Sequence, residues 1–415
     1  MRFLIASTVN RYGWLLPALM LVSLPMSGGP RPIFWLSAGL GLLAMTLARA
    51  VLRGAAARQL ALLWSCLAVP VLCSLPGSFD ALGTTKVFGV LVSALPAGLL
   101  WIGTLQSHNS QKMLERTVLL LVSLWCLDGC WQALSGVDLF GVPLSEDGRV
   151  VGPFDGNLRF PVLLPILLSS AVCALGLRGR STSAVCLWVL GAAVTLMGGT
   201  RAQYVTLALS AAMILPILPG SDRRRLAVVA FTLLAGWAIV RLASGREWTL
   251  AIDFGALPRT AEGWFATIDT LSSSRLSSWR AAFEMGMSNF FGVGASSFTE
   301  AYHRFTAPGD TRVALAGTGT EINHAHHVWF AVFAESGAFG ILGLIGAFAI
   351  LSGQWHRAAK TARDAARPYG IALSMYFFPV ALHPPLYLFW LFPVIWLLIC
   401  AYLAALTGET SGEVK

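Results

Sequence analysis

The chain has 415 residues, of which 56% are apolar and 12% are charged. Soluble globular domains carry roughly 25% charged residues. The 29 basic and 20 acidic side chains are therefore too few to cover a water-soluble body of this length. The composition excludes a soluble enzyme and predicts an integral membrane protein.

Apolar runs long enough to cross the bilayer core as a helix recur along the whole chain. Charged residues or Gly/Pro clusters separate them, so we predict an all-α fold of about twelve transmembrane helices. The predicted spans are 8–26, 33–51, 59–76, 86–104, 114–134, 158–177, 182–199, 201–218, 225–243, 325–352, 369–384 and 386–406.

Basic residues concentrate in alternate connections between the predicted spans. The connection before the ninth span contains the arginine run 223–225, and the one before the eleventh contains Arg357, Lys360, Arg363 and Arg367. The positive-inside rule places these connections, and both termini, in the cytoplasm. The net charge of +9 is then mainly a topology signal, and no nucleic-acid-binding motif accompanies it.

Residues 244–323 form the one segment too long to be a simple connection, and they fall on the predicted outer side. Aromatic residues recur there at spacings that suit short amphipathic helices. We therefore divide the chain into helices 1–9 with short loops (1–243), an outer helical loop (244–323), and helices 10–12 with a cytoplasmic tail (324–415).

Residues 275–287 within the outer loop are predicted to form an amphipathic helix, with serines at 272–274 available as N-caps. One apolar stripe consists of Leu276, Trp279, Phe283 and Met287. The stripe indicates a helix that lies on the membrane or on the bundle as a lid or platform. Arg280 and Glu284, four residues apart, are more typical of a solvated face than of a site.

Three arginines on the predicted outer side are candidates for phosphate binding. Arg149 lies in a glycine-rich loop that ends at Asn157, Arg201 follows the seventh span, and Arg275 begins the amphipathic helix. A guanidinium group offers two parallel hydrogen bonds and a permanent charge, which suits phosphate. The alternatives are interfacial snorkelling for Arg201 and an ordinary surface charge for Arg275.

Three histidines, His324, His326 and His327, stand within four residues at the start of the tenth span. Histidine is the side chain best suited to accept a proton near neutral pH. The alternatives are polar anchoring at the membrane interface without chemistry, and a metal pair. No cysteine or suitably spaced carboxylate completes a metal shell, so we predict no metal. Asp128 and Glu335 are intramembrane acids, which are either functional or bonded to a neighbouring helix.

These patterns together resemble the O-antigen ligase family of bacterial inner-membrane proteins, within the wider group that includes O-antigen polymerases and protein O-oligosaccharyltransferases. The resemblance rests on the multi-pass layout with one large late loop and on four local patterns. These are the Arg149 to Asn157 loop, Thr200-Arg201, Ser274-Arg275 with Trp279 and Gly292-Val293-Gly294, and the histidine segment followed by Glu335, Gly337 and Gly340. The sequence departs from the family motif by having His327 where asparagine is commonest.

The resemblance implies a bundle similar to C-type glycosyltransferases, with its active site facing the periplasm. Such enzymes transfer a glycan from undecaprenyl pyrophosphate to lipid A-core oligosaccharide, with inversion and without metal or cofactor. His326 matches the essential histidine and is expected to act as general base, while Arg201 and Arg275, with Arg149 or Arg280, hold the pyrophosphate. Supporting candidates are His324, His327, Asn157, Tyr204 and Trp279.

Two other functions remain open from the sequence. An O-antigen polymerase would use the same donor with a second lipid-linked glycan as acceptor. A polytopic transporter of lipid-linked glycans belongs to a different class, and internal repeats with helices broken at the midplane would favour it. The gathering of polar residues on one predicted face favours the transferase.

Overall fold

A computed structural model describes residues 12–26, 28–47, 54–154, 159–200, 202–244, 264, 269, 275–306, 324–379 and 383–408. These residues form fourteen α-helices and no strand. The helices are α1 (Leu15–Val22), α2 (Pro30–Leu47), α3 (Ala55–Ser74), α4 (Ala81–Leu105), α5 (His108–Ser135), α6 (Arg159–Leu177), α7 (Ser181–Met197), α8 (Ala202–Ile214), α9 (Gly220–Ser244), α10 (Arg275–Ser288), α11 (Phe298–Phe305), α12 (Val328–Arg357), α13 (Lys360–Phe377) and α14 (Phe392–Thr407).

A helix lies at each of the twelve predicted spans, which are α1 to α9 and α12 to α14. By length and composition, α4, α5, α6, α12 and α3 with the turn that follows it are able to cross a membrane. The chain is therefore a multi-pass helical membrane protein, and the count of twelve spans stays a prediction. Helix α13 begins well before the predicted span. The first half of the helix is charged, so the apolar run that predicted the span starts later than the helix does.

Glycines allow the apolar helices to approach one another closely. A Cβ atom on Gly343 of α12 would lie 2.1 Å from the carbonyl oxygen of Cys66 on α3. A Cβ atom on Gly41 of α2 would lie 2.0 Å from the carbonyl oxygen of Pro96 on α4. Membrane helices associate through such small residues because the lipid gives no hydrophobic force between helices.

Helix α12 is broken at Gly337, whose φ of 64° and ψ of −162° are not helical. Almost only glycine adopts this conformation. A Cβ here would lie 2.0 Å from the carbonyl oxygen of Phe290, in the loop after α10. The Glu335-Ser336-Gly337 pattern thus marks the point where another segment crosses the helix.

The loop after α10 supplies the hydrogen bonds that the break in α12 removes. The backbone N–H groups of Val293 and Gly294 donate to the carbonyls of Ala334 and Glu335, at 2.9 and 3.0 Å. The N–H of Phe339 donates back to Phe290 at 3.3 Å. Backbone groups at membrane depth need protein partners of this kind. We call residues 289–294 and 334–339 together the crossing.

The residues that follow 289–294 are also fixed to the start of α4 and to the turn between α3 and α4. The hydroxyl of Ser297 accepts from the backbone N–H of Asp80 and hydrogen-bonds to Ser78, at 3.0 and 2.9 Å. The hydroxyl of Thr84 donates to the carbonyl of Ala295 at 2.8 Å. The segment from α10 to α11 is therefore held against two core helices.

Helix α10 packs on α12 mainly through small residues, and the stripe residues Trp279 and Phe283 contact Phe330 and Phe333 of α12 at the edge of this face. Ser278, Ala281, Ala282, Met285 and Gly286 form the buried face. Of the stripe, Phe283 and Met287 are exposed and Trp279 is partly buried. Small side chains permit the closest approach of two helices, so the larger residues are left at the edge.

Candidate active site

The histidine segment lies just before α12, and its backbone is strained. His326 has a φ of 50°, in the left-handed region that residues with a Cβ seldom adopt. Its ring lies 4.0 Å from that of His324, measured between centroids. Strain of this kind persists only where the surroundings enforce it, and it clusters at functional sites.

His327 is the N-cap of α12, and both of its ring nitrogens face backbone groups. Nδ1 accepts from the backbone N–H of Phe330 at 3.5 Å. Nε2 lies 2.7 Å from the carbonyl oxygen of Pro379. A carbonyl can only accept, so Nε2 carries the proton. Asparagine is a preferred N-cap residue. The departure from the family motif therefore replaces one capping side chain with another.

An indole from α10 holds the same segment from the other side. Nε1 of Trp279 donates to the carbonyl of Ala325 at 3.0 Å. The Trp279 ring stacks on Phe330 with centroids 5.5 Å apart, and it meets the ring of His327 edge to face at 5.5 Å. Helix α10 thus fixes Ala325, which lies between His324 and His326. Only the position of Trp279 could have indicated this bond from the sequence.

Arg275 is the first residue of α10, one helical turn before Trp279. Residues four apart share a helix face, so Arg275 lies on the side of α10 that contacts the histidine segment. The amino-terminal end of the helix also carries a partial positive charge. This end of α10 is therefore suited to an anionic group beside the histidines.

His324 and His327 lie in environments that oppose protonation, for different reasons. Burial lowers the pKa of His324 from its ordinary value of 6.5 to about 4. His327 uses both nitrogens on the backbone. His326 is only partly buried. These environments disfavour His324 and His327 as proton acceptors.

Arg149 belongs to a second group, at the end of α7. A Cβ atom added to Gly199 would lie 3.1 Å from the Cδ of Arg149. The backbone N–H of the next residue, Val150, donates to the carbonyl of Met197. The guanidinium of Arg149 lies 3.4 Å from the carboxylate of Asp147. Arg149 is thus packed against the short segment that leads to Thr200.

Gln132 holds this loop in place, and the sequence reasoning missed it. Its amide nitrogen donates to the carbonyls of Val142 and Pro143, at 3.0 and 3.1 Å. Its amide oxygen accepts from the N–H groups of Val151 and Gly152, both at 2.9 Å. A fully buried amide within an apolar span was the signal that could have revealed it.

The two intramembrane acids bond to loops. Asp128 accepts from the backbone N–H of Leu139 at 2.8 Å. Glu335 accepts from the backbone N–H of Ser296, whose φ of 64° is also left-handed. Both acids therefore hold loops, and not the neighbouring helix that was one of the two alternatives from the sequence.

The remaining predicted site residues either lie away from the histidine segment or fall outside the residues that the structure describes. Arg280 pairs with Glu284 at 3.2 Å on the exposed side of α10, as the spacing predicted. Tyr204 lies on α8, partly buried against the main core. Arg201 and Asn157 lie outside the described residues. Among the side chains that the structure describes, no group of three or more His, Cys, Asp or Glu could hold a metal ion.

These elements can be compared with known families. The O-antigen ligase family model matches residues 186–345. The match runs from α7 into α12, so it includes Arg201, Arg275, the crossing and the histidine segment. It confirms the family resemblance predicted from the sequence. Comparison with curated proteins gave no match. The O-antigen ligase match, together with the apolar helices, indicates a membrane enzyme with transfer activity of the ligase or polymerase type.

Proposed function

We propose that this protein is an O-antigen ligase that transfers a glycan from undecaprenyl pyrophosphate to lipid A-core oligosaccharide at the periplasmic face of the inner membrane. The observation that carries the proposal is the histidine segment, which lies inside the family match and is fixed by α10 and Pro379. A rigidly held base beside a cationic helix end suits a reaction in which a hydroxyl displaces a pyrophosphate.

His326 acts as the general base in this proposal. It takes the proton from an acceptor hydroxyl, whose oxygen attacks the anomeric carbon and inverts it. The bond from that carbon to the pyrophosphate oxygen breaks, and undecaprenyl pyrophosphate leaves with the electron pair. The low pKa of His324 and the capping bonds of His327 support the assignment to His326.

The arginines hold the donor pyrophosphate. Arg275, at the positive end of α10, neutralises the charge that develops on the leaving group. Arg201 is assigned the same role from the family pattern, with Arg149 packed against the segment beside it. Arg280 is a weaker candidate because it is exposed and paired with Glu284.

Reconstitution of the full chain with the lipid-linked donor and lipid A-core tests the proposal. His326→Asn keeps a residue that tolerates the left-handed backbone. Removal of a general base lowers kcat by about a hundredfold to ten-thousandfold. His356→Asn, an exposed histidine at the far end of α12, is the matched control and is expected to leave the rate unchanged.

Three results would change the assignment. Full activity of His326→Asn would refute the base. Chain extension of the donor without lipid A-core would identify a polymerase instead of a ligase. Loss of transfer on treatment with EDTA would require a metal that the proposal does not include.

A further inference from the structure

Two arginines meet at the start of α2 and α6. Arg31 is the second residue of α2, and Arg159 is the first residue of α6. The guanidinium carbon of Arg31 lies 4.7 Å from the ring centroid of Phe389, and that of Arg159 lies 5.7 Å from the centroid of Trp390. The rings belong to adjacent residues, and the two arginines are close enough to repel each other electrostatically.

The arrangement brings two positive charges together, so a bound anion would stabilise it. Neither Arg31 nor Arg159 forms an ion pair with a carboxylate among the residues that the structure describes. Both begin long helices, where the helix dipole opposes positive charge. A phosphate group would offset the repulsion between the two arginines and the unfavourable helix dipoles. It accepts hydrogen bonds from planar guanidinium groups and from the N–H groups at helix ends. The aromatic rings hold the guanidinium planes in position for it.

A strip of exposed residues continues from Arg31 along α2 into the apolar part of the helix. Trp35, Gly39 and Leu42 share a helix face with Arg31 and are exposed. A Cβ on Gly39 would have no atom within 4 Å, which leaves a shallow gap between the two larger side chains. A phosphate at the arginines and a hydrocarbon chain along this strip together describe a lipid.

The segment that carries Phe389 and Trp390 also borders the histidine segment. His383, at its start, is fully buried, and its Nε2 donates to the carbonyl of Met375 at 3.1 Å. His383 lies close enough to His327 for a charge interaction between the rings. The arginine pair is therefore at the same end of the bundle as the candidate base.

We propose that Arg31 and Arg159 bind the phosphate headgroup of the lipid-anchored acceptor, separately from the arginines assigned to the donor. This assignment rests on the transferase function proposed above. The acceptor would lie with its hydrocarbon along α2 and its glycan towards His326.

Binding is tested without any reaction, with the full chain in phosphatidylcholine vesicles that contain spin-labelled phosphatidic acid. The probe is expected to be immobilised by the protein in preference to spin-labelled phosphatidylcholine. Arg31→Gln with Arg159→Gln is expected to reduce that preference by roughly tenfold for each arginine. Arg304→Gln is the matched control, because Arg304 lies 5.7 Å over the ring of Phe79 elsewhere.

An unchanged preference in the double variant would overturn the proposal. Displacement of the labelled lipid by inorganic phosphate at equal concentration would show a soluble-anion site and would also overturn it. If the glutamine variant does not fold, Arg31→Lys with Arg159→Lys keeps the charge and loses only the bidentate geometry, so a smaller loss of preference is expected. Full preference in this variant would refute the bidentate site.

Kinetics then separate the two substrates. The double variant is expected to raise the KM for lipid A-core and to leave the KM for the donor and kcat unchanged. A higher KM for the donor instead would assign the pair to the donor and overturn the proposal. No transfer by the unaltered protein would refute the proposed function, whereas the binding result reports on the arginine pair alone.

Discussion

Substitution of Gly337 by alanine is expected to open the crossing. The added Cβ would lie 2.0 Å from the Phe290 carbonyl oxygen and 2.6 Å from the Gly292 nitrogen, which are both backbone atoms that cannot rotate away. A residue with a Cβ in this backbone conformation costs about 1 to 3 kcal/mol. Relief of the clash moves the loop and breaks the three hydrogen bonds of the crossing, at about 1 kcal/mol each.

The expected loss of stability is therefore about 4 to 6 kcal/mol, which only a few kinds of point mutation reach. The assay is the thermal unfolding of the detergent-solubilised protein, followed by tryptophan fluorescence. Gly353→Ala is the control on the same helix, because its Cβ would have no atom within 4 Å. Alanine there is expected to stabilise the helix by about 0.5 to 1 kcal/mol.

An unfolding temperature of Gly337→Ala equal to that of the unaltered protein would refute this reasoning. It would mean that α12 regains its helical bonds when the loop moves away. The crossing would then be a consequence of packing and not a requirement of the glycine.

Three further predictions concern the histidine segment. His327→Asn keeps the cap and loses the bond to Pro379, so it is expected to lose about 1 kcal/mol of stability. His327→Ala loses the cap as well, at about a further 0.5 to 2 kcal/mol. Equal unfolding temperatures of the two variants would contradict the capping role. Trp279→Phe keeps the stacked ring but loses the bond to the carbonyl of Ala325, so chemical denaturation is expected to show a loss of about 1 kcal/mol, and no loss would show that the bond is not needed. The free energy of unfolding is expected to fall as the pH is lowered from 6.5 to about 4. The pKa of His324 is about 4 in the folded chain, so the unfolded chain takes up this proton first as the pH falls. An equally steep fall in His324→Gln would disprove this origin.

The positions of the membrane helices follow from the sequence because burial in lipid and burial in protein both demand long apolar runs. Each predicted span contains a helix. The face by which α10 packs does not follow from periodicity. Small residues such as Ala282 bury as well as large ones in a tight helix contact, and Phe283 is left exposed. A pattern of hydrophobicity cannot tell a side chain that faces lipid from one that faces protein.

In the candidate site, too, some features follow from the sequence and others depend on tertiary contacts. The sequence identified His326 and Arg275 as chemical groups from their residue types and from the family pattern. It could not assign the capping role of His327 or the bonds of Gln132, because these depend on the backbone atoms of distant segments. The meaning of Gly337 likewise appears only when the loop from α10 is seen to cross the helix.

The crossing has a consequence for how this chain can be recombined with similar proteins. The loop 289–294 and the broken part of α12 share their backbone hydrogen bonds, so neither is complete without the other. A chimera that exchanges residues 275–306 between two relatives joins a loop and a helix that were selected separately. A chimera that also exchanges 324–340 takes both segments of the crossing from the same protein. Segments grafted into this protein should therefore be cut outside the crossing.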